Sequence, residues 1–589
     1  MDNLSDPLTS SPQKPSPLPS SLQSRFSQSP LWHLTFLLVL GIWLFGLEGG
    51  WLGGLEMGGL GLTDRDEGSN AEAAREMLEV GDWISPTLNY EPRFAKPAFT
   101  YWLISGSYSL FGISEFAARF PSAFSSLCLL LLQYAFVYRW LGAPLAWLSS
   151  IMLLLNMEFL AINRLVLTDP ELVVFTTLSG YSCWHALQAP MKTSRWWFAG
   201  FYLAMGLAML VKGPVGIIIP LVGVIPYLTL TRQWKVFWQK GFPLLGTGLV
   251  ILVAAPWYVA MFQIHGDAYW AAAQANTTGR FMNPMEGHGG TFFFYLPILL
   301  LGFFPWSAFL PSVLYQALKQ WKVYWQGQTF ATQDRNLEFF LSVWVVGLLI
   351  FFTLSSTRLP HYIYPLFPAS AILVALWWKR FQDMVLPPDW RISRRLLLGT
   401  GYVFGIALML APEIFHHFLK QIAKEFPAAV AVDFGWLPTL MGLVIIVGTM
   451  GIRLCLDSET KRLWAAGIAG VMMLIFGALV MKGAVPEYHK FFIEPPQRLA
   501  TIAGRDLGGD DRLLQVGRKR PSLSFYAKRK VYFLGPRDEK KWQTHLAASG
   551  KKMIILQTSL RHEIPESVFD WNVVLEHGGF SLLSNEPLL

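Results

Sequence analysis

The sequence predicts a mostly α-helical, polytopic membrane protein with a small α/β unit at its C-terminal end. Three observations carry this expectation. The 589-residue chain is 53% hydrophobic, with a mean hydropathy of +0.38, above the roughly 45–50% apolar share of water-soluble domains. Apolar runs long enough to cross a ~30 Å hydrocarbon core, about 20 residues each, recur as far as residue 481. Beyond about residue 485 the chain turns polar and stays polar.

Taken in order, residues 1–29 are rich in Ser, Pro and Gln and read as a disordered cytoplasmic tail. The first apolar run follows without a small-x-small cleavage pattern, so it is expected to be an uncleaved anchor. The membrane region is residues 30–484, with about 13 spans expected near 30–48, 118–139, 144–163, 168–189, 196–211, 213–230, 242–263, 291–318, 337–356, 361–379, 395–415, 434–452 and 463–481. Residues 99–113 are expected to dip into the membrane without crossing it. Basic residues such as Arg139, Lys192, Arg195, Lys240, Arg394 and Arg453 fall in alternate loops on the side of the N-terminus, which makes that side cytoplasmic and the C-terminal region extracytoplasmic. The net charge of +8 is thus a topology signal, and short basic loops with no soluble domain around them argue against a nucleic-acid partner. Cys128, Cys183 and Cys455 lack paired spacing and read as packing residues, with no disulfide or metal framework.

Polarity gathers in two places. In the first outer loop, residues 62–98, SNAEAAREMLEV has helix-forming composition with Ala71, Ala74, Met77 and Leu78 on one face, which predicts a short helix along the membrane surface. Asp64, Asp66 and Glu67 lie just before it, where acids complement the helix dipole; Asp66 beside Glu67 reads equally well as a supported general base. In residues 485–589, RLLQVG, VYFLG, KKMIILQT and WNVVLEHGGFSLL read as strands, with RLATIAGRDL and DEKKWQTHLAAS as helices. This extracytoplasmic α/β domain has no nucleophile motif or metal-ligand spacing, which suits a structural or acceptor-contacting role.

Ionisable residues near membrane depth are costly and call for a chemical reason. Lys96, Arg164, Lys212, Arg280 and Arg358 stand in outer loops or at outer helix ends. For each alone, snorkelling or pairing with a carboxylate is the commoner explanation; together they could line one pocket for a phosphate. Asp169, followed by Pro170 at a helix start, reads as an N-cap or as the partner of a pocket cation.

From Asp66 to Pro121 the residues Asp66-Glu67, Ala71-Glu72, Glu76-Met77, Gly81-Asp82-Trp83, Lys96-Pro97, Tyr101-Trp102, Phe111-Gly112 and Arg119-Phe120-Pro121 follow one family pattern in register. The stretch resembles the first outer loop of the lipid-linked-sugar glycosyltransferases of the aminoarabinose transferase and protein O-mannosyltransferase superfamily, which share the GT-C fold. Later pieces agree in order: Thr168-Asp169-Pro170, Lys212-Gly213-Pro214, Arg280-Phe281, Phe304-Pro305-Trp306 and Arg358-Leu359-Pro360 with Tyr362. The resemblance implies that Asp66, with Glu67 beside it, is the catalytic or acceptor-orienting carboxylate and Asp169 a second active-site acid. It implies that Lys96, Lys212 and Arg280 contact a polyprenyl phosphate, with Arg358 and Tyr362 also on the donor side.

The activity so implied is transfer of one sugar, with inversion, from a polyprenyl-phosphate donor to a lipid, glycan or protein acceptor at the outer face of a bacterial inner membrane, as in lipid A modification. The alternatives are a protein O-glycosyltransferase and, from another class, a lipid or sugar transporter or flippase. A transport path needs polar residues at mid-membrane depth, whereas here they gather at outer helix ends. The chain also departs from the aminoarabinose transferases. An Arg-Tyr is replaced by Ser69-Asn70, and the Glu and Glu-His that look like metal ligands in that family are Ala95 and Asn276-Thr277. A metal held as in those enzymes is therefore not expected, although Asp66 and Asp169 could still recruit a divalent ion through oxygen ligands.

Overall fold

A computed structural model describes residues 29–47, 59–284, 289–326, 333–382, 390–458 and 460–587; the expected tail, residues 1–28, lies outside the described residues. Apolar, β-branched and aromatic runs with no water to bond their backbone must satisfy it within the segment, and among the described residues each expected span contains helix. The elements that position the site are α1 (Pro30–Phe45), α2 (Asp66–Val80), the two-stranded hairpin β1 (Thr87–Leu88) and β2 (Glu91–Pro92), α3 (Phe99–Phe111), α4 (Glu115–Leu141), α5 (Ala143–Leu154), α6 (Met157–Ile162), α7 (Asp169–Gln188), α8 (Met191–Lys212), α9 (Val215–Leu230) and α10 (Pro243–Gln274). A 3-10 segment, Pro360–Leu366, also lies at the site.

Six helices among the described residues are long and apolar enough to cross a membrane, or seven if the bent pair Tyr295–Gly302 and Trp306–Trp325 counts as one span. The expectation of about 13 exceeds this because several spans are short, broken or polar. The span expected at 144–163 is split into α5 and α6, with Asn156 capping α6 by accepting from Phe159 N–H. α9 carries Pro220 and Pro226. α7 holds Thr176, Ser179 and Ser182, which lower its hydropathy; it is buried among its neighbours, with Ser179 Oγ donating to the Phe201 carbonyl of α8 at 3.0 Å. α3, 13 residues and so ~20 Å long, is too short to cross.

α2 departs from the sequence reading. It starts at Asp66, so both acids occupy its first turn, and residues 67–77 are buried on every face. It does not lie open along a surface: α3 covers it on one side, with Tyr108 Oη and Ser105 Oγ donating to its Ala71 and Ala74 carbonyls. The C-terminal unit covers it on the other, where a Cβ on Gly68 would come within 2.8 Å of Ser522.

That unit is a five-stranded mixed sheet of β3 (Arg512–Val516), β4 (Val531–Leu534), β5 (Lys552–Gln557), β6 (Asn572–His577) and β7 (Phe580–Ser584), in the order β4-β3-β5-β7-β6. β3 pairs in parallel with β4 and β5, while β7 is antiparallel to β5 and β6. The run WNVVLEHGGFSLL, expected as one strand, is the β6–β7 hairpin, turned at Gly578 and Gly579 with φ of 56° and 76°, angles that glycine adopts without strain. Apolar side chains fill both faces of the sheet.

Candidate active site

Two carboxylate–lysine pairs stand at the end of the bundle nearest the C-terminal unit. The first joins the start of α2 to the segment before α3. The β1–β2 hairpin turns through Asn89 and Tyr90, both at positive φ, and brings Lys96 back so that its Nζ lies 3.4 Å from Asp66 Oδ1. The second joins adjacent ends of an antiparallel helix pair. Lys212 is the last residue of α8, which Gly213 ends at a φ of 77°, and its Nζ is 2.7 Å from Oδ1 of Asp169, the first residue of α7. Thr168 is the N-cap residue and makes no side-chain cap; the Asp169 carboxylate turns to Lys212 and does not cap.

The Pro360–Leu366 segment ties the pairs together. His361 Nε2 is 3.9 Å from Asp169 Oδ2, and Lys212 Nζ lies over the Tyr362 ring, 5.1 Å from its centroid. Arg280 donates from Nη1 to Tyr362 Oη at 3.3 Å. It is held there by backbone pairing, with Thr357 N–H donating to the Arg280 carbonyl at 3.1 Å and Ser356 N–H to the Phe281 carbonyl at 2.9 Å. Arg280 Nε is buried with no hydrogen-bond partner, an orphaned donor of the kind that a bound anion satisfies.

Asp66 is 53% exposed while Asp169 is 2% exposed, so one acid reaches solvent and the other is enclosed. Lys96 beside Asp66 holds its carboxyl down to about 2 against the effect of burial, and the positive fields of His361 and Lys212 act the same way. Those fields link Asp66 to the Asp169–Lys212 pair across the site.

Glu67, expected with the catalytic acids, is enclosed by hydrogen-bond partners. Its carboxylate accepts from Arg119 Nε at 2.9 Å and Nη2 at 3.2 Å, from Thr63 N–H and Oγ at 2.9 and 2.8 Å, and from Val166 N–H at 3.1 Å. Burial would raise its proton affinity, but Arg119 and Thr63 outweigh that and keep it below the ordinary range. With its oxygens occupied and the group 1% exposed, Glu67 ties the Asp66 turn to α4 and to the segment before α7. Arg358 donates to the Gly290 and Thr353 carbonyls, bracing backbone rather than meeting the carboxylates, and Arg164 donates to the Leu44 carbonyl at the end of α1. His361 was not singled out in the sequence; its place beside Tyr362 in the Arg358–Pro365 motif was the available signal.

The positions of the missing metal ligands are neighbours. Asn276 Nδ2 is 3.4 Å from the Phe94 carbonyl, next to Ala95, and 2.9 Å from the Ala272 carbonyl; Thr277 Oγ donates to the Ala273 carbonyl. A methyl group, an amide and a hydroxyl bonded to backbone do not fit a metal there. Among the described residues no three His, Cys, Asp or Glu side chains are grouped to hold one.

Residues 68–270 match the family model described as dolichyl-phosphate-mannose-protein mannosyltransferase. The undecaprenyl phosphate-alpha-4-amino-4-deoxy-L-arabinose arabinosyl transferase of Edwardsiella ictaluri is 30% identical over 442 residues, covering 72% of this chain and 74% of the relative. The chain belongs to the aminoarabinose transferase and protein mannosyltransferase superfamily of membrane glycosyltransferases. A second member with the same name, from Yersinia enterocolitica, is 25% identical over 533 residues, or 85% of this chain and 90% of its own. The crystal structure of ArnT from Cupriavidus metallidurans bound to undecaprenyl phosphate superposes with a TM-score of 0.74 at 21% identity, covering 95% of this chain and 99% of that one. The superfamily's GT-C fold therefore extends through the polar C-terminal unit as well as the helices.

Proposed function

We propose that this glycosyltransferase moves a single sugar from a polyprenyl-phosphate donor to an acceptor at the extracytoplasmic face, with Lys96, Lys212 and Arg280 receiving the donor phosphate. The observation that carries this reading is the meeting of three cations from separate elements around Asp66, Asp169 and Tyr362. An acceptor oxygen attacks the anomeric carbon, the bond from that carbon to the phosphate oxygen breaks, and the polyprenyl phosphate leaves with the electron pair. Cations fixed beforehand stabilise the charge that develops on the departing phosphate, and more strongly where water is excluded. Asp169 holds Lys212 in place, Tyr362 supports both Lys212 and Arg280, and Asp66 faces the acceptor.

When the donor phosphate arrives, it competes with Asp66 for Lys96. The carboxylate then loses its main depressing partner and becomes a better base, which couples donor binding to acceptor activation. An acceptor hydroxyl gives its proton to Asp66, whereas an acceptor phosphate, already ionised near neutral pH, has none to give and is only oriented. The outer placement is supported by the helix ends: Arg139, Lys379, Arg380 and Arg453 stand in last turns at the far end of the bundle from the site, as cytoplasmic ends should.

The test is comparison of membrane lipids, envelope glycans and proteins by mass spectrometry with and without the gene, followed by assay of the purified enzyme with the matching polyprenyl-phosphate sugar. Release of free polyprenyl phosphate with transfer of one sugar is expected. Lys96→Glu should abolish it while the protein stays folded, because a partly exposed loop charge contributes little to stability; near-normal turnover in Lys96→Glu would remove the phosphate-binding role.

A further inference from the structure

Asp66 is exposed and has one ion pair, with Lys96, yet the turn that carries it is gripped from the C-terminal unit. Asp64, two residues earlier, accepts from Ser522 N–H at 3.0 Å through Oδ1 and from Arg520 Nη1 at 3.4 Å through Oδ2. Arg520 is itself fixed. It is 4% exposed, donates to the Glu425 carbonyl at 3.1 Å and lies over the Phe426 and Phe580 rings at 5.4 and 5.3 Å. Between the held Asp64 and Asp66 sits Arg65, with φ 72° and ψ −84°, a conformation that a side chain bearing a Cβ adopts only when its surroundings impose it. The same unit takes hold of the loop at two other points. Asn89 pairs through both atoms of its amide with the Val531 backbone, each at 2.8 Å, and Tyr526 Oη accepts from Leu62 N–H at 2.9 Å.

We propose that Arg520 and Asp64 are positioning residues for the transfer reaction: the C-terminal unit, through this ion pair, imposes the Arg65 backbone that aims the Asp66 carboxylate at the acceptor. The inference rests on the reading of Asp66 given above. It assigns the α/β unit a part in turnover although it contributes no group to the reacting atoms. A carboxylate misplaced by about 1 Å can cost on the order of a hundredfold in rate, whereas donor binding keeps its three cations, Lys96, Lys212 and Arg280, and is not weakened when Asp66 loosens its hold on Lys96.

The experiment uses the full-length enzyme and its polyprenyl-phosphate sugar, with Asp66→Asn as reference. Asp64→Asn keeps an acceptor for Ser522 N–H and removes the ion pair; Arg520→Met removes the cation; Arg520→Lys restores it. Asp64→Asn and Arg520→Met should each lower kcat by about tenfold or more without raising the donor KM by more than about twofold, and Arg520→Lys should recover part of the loss. Adding Asp64→Asn to Asp66→Asn should cost nothing further, since groups that act as a unit are not additive. Amide exchange over residues 62–70 should speed up by about tenfold in Arg520→Met while the β3–β7 sheet stays protected; this readout needs no substrate. Wild-type kcat and unchanged exchange in both variants, with Asp66→Asn inactive, would overturn the positioning role alone, as would losses that add in full to that of Asp66→Asn. An active Asp66→Asn enzyme would instead overturn the functional reading beneath it.

Discussion

Asp66 and Glu67 differ by one methylene and one position, and their surroundings divide the work between them. Asp66 is open to the site with Lys96 as its ion-pair partner, while Glu67 is enclosed by Arg119, Thr63 and Val166. Asp66→Asn keeps the shape and removes the charge, so turnover should fall by about 10²–10⁴ with thermal stability nearly unchanged. Glu67→Gln should do the reverse in emphasis: leaving the Arg119 guanidinium buried without its countercharge costs about 3–5 kcal/mol, read as a lowered unfolding midpoint in detergent. Equal losses of activity and equal midpoints in the two variants would reject this division. The pH profile adds an independent check. Because the Asp66 carboxyl is depressed from 3.8 to about 2, chiefly by Lys96, its charged form persists in the folded enzyme down to about that pH, while the stability it contributes is full above the ordinary value and is lost as pH falls from there through about 2. kcat/KM, which reports the free enzyme, should therefore show no acidic limb from Asp66 between pH 5 and 8. An acidic limb in that window that moves in Asp66→Glu would contradict it. The sequence and the family resemblance put Asp66 first and Glu67 beside it in support, but not the reason for the difference, which lies in burial and in partners 52 and 99 residues away.

At the scale of elements, α2 shows how a polar loop helix expected to bury one face comes to bury all of them. Its alanines predict one buried face, but Glu72, Arg75 and Glu76 are also buried, because Arg75 is paired with Glu72 at 2.7 Å and Thr87 Oγ and Tyr90 N–H bond Glu76. Internal pairing lets a polar face be enclosed, and hydropathy alone cannot see it. The helix that closes over α2, Ser522–Ala527, is six residues with no periodicity to detect and was not foreseen. The family resemblance, by contrast, implies that the segment after β2 meets the turn that follows α10, and the Asn276–Phe94 contact puts Ala95 beside the position of the missing Glu-His. Since those side chains offer no ligand set, purified enzyme treated with a chelator should keep its activity. Complete loss that zinc restores would show that oxygen ligands elsewhere, Asp66 or Asp169 among them, recruit an obligatory ion.

For the molecule as a whole, the order of helices along the chain was readable because lipid imposes length and hydropathy on each span. Their depth and partners were not, because α7 satisfies its hydroxyls inside the bundle, Thr176 on its own Leu172 carbonyl and Ser179 on the Phe201 carbonyl of α8, and is buried among its neighbours. What pairs with what across the site, Asp66 with Lys96 and Asp169 with Lys212, depends on a hairpin turn and a helix pair that bring together residues 30 and 43 positions apart. The same architecture fixes the last expectation. The site, the first loop and the C-terminal sheet form one packed end, joined by Asp64–Ser522, Asn89–Val531 and Tyr526–Glu115, so they must share a side of the membrane. Lys192 and Arg195 near the start of α8, together with Arg139, Lys379, Arg380 and Arg453, crowd the opposite ends, and short basic loops are retained in the cytoplasm. A reporter active only outside the cytoplasm, fused after Leu589, should therefore be active, and the same reporter in the loop after Arg139 should be silent. The opposite pattern would turn the whole molecule over and put the site where an extracytoplasmic acceptor never comes.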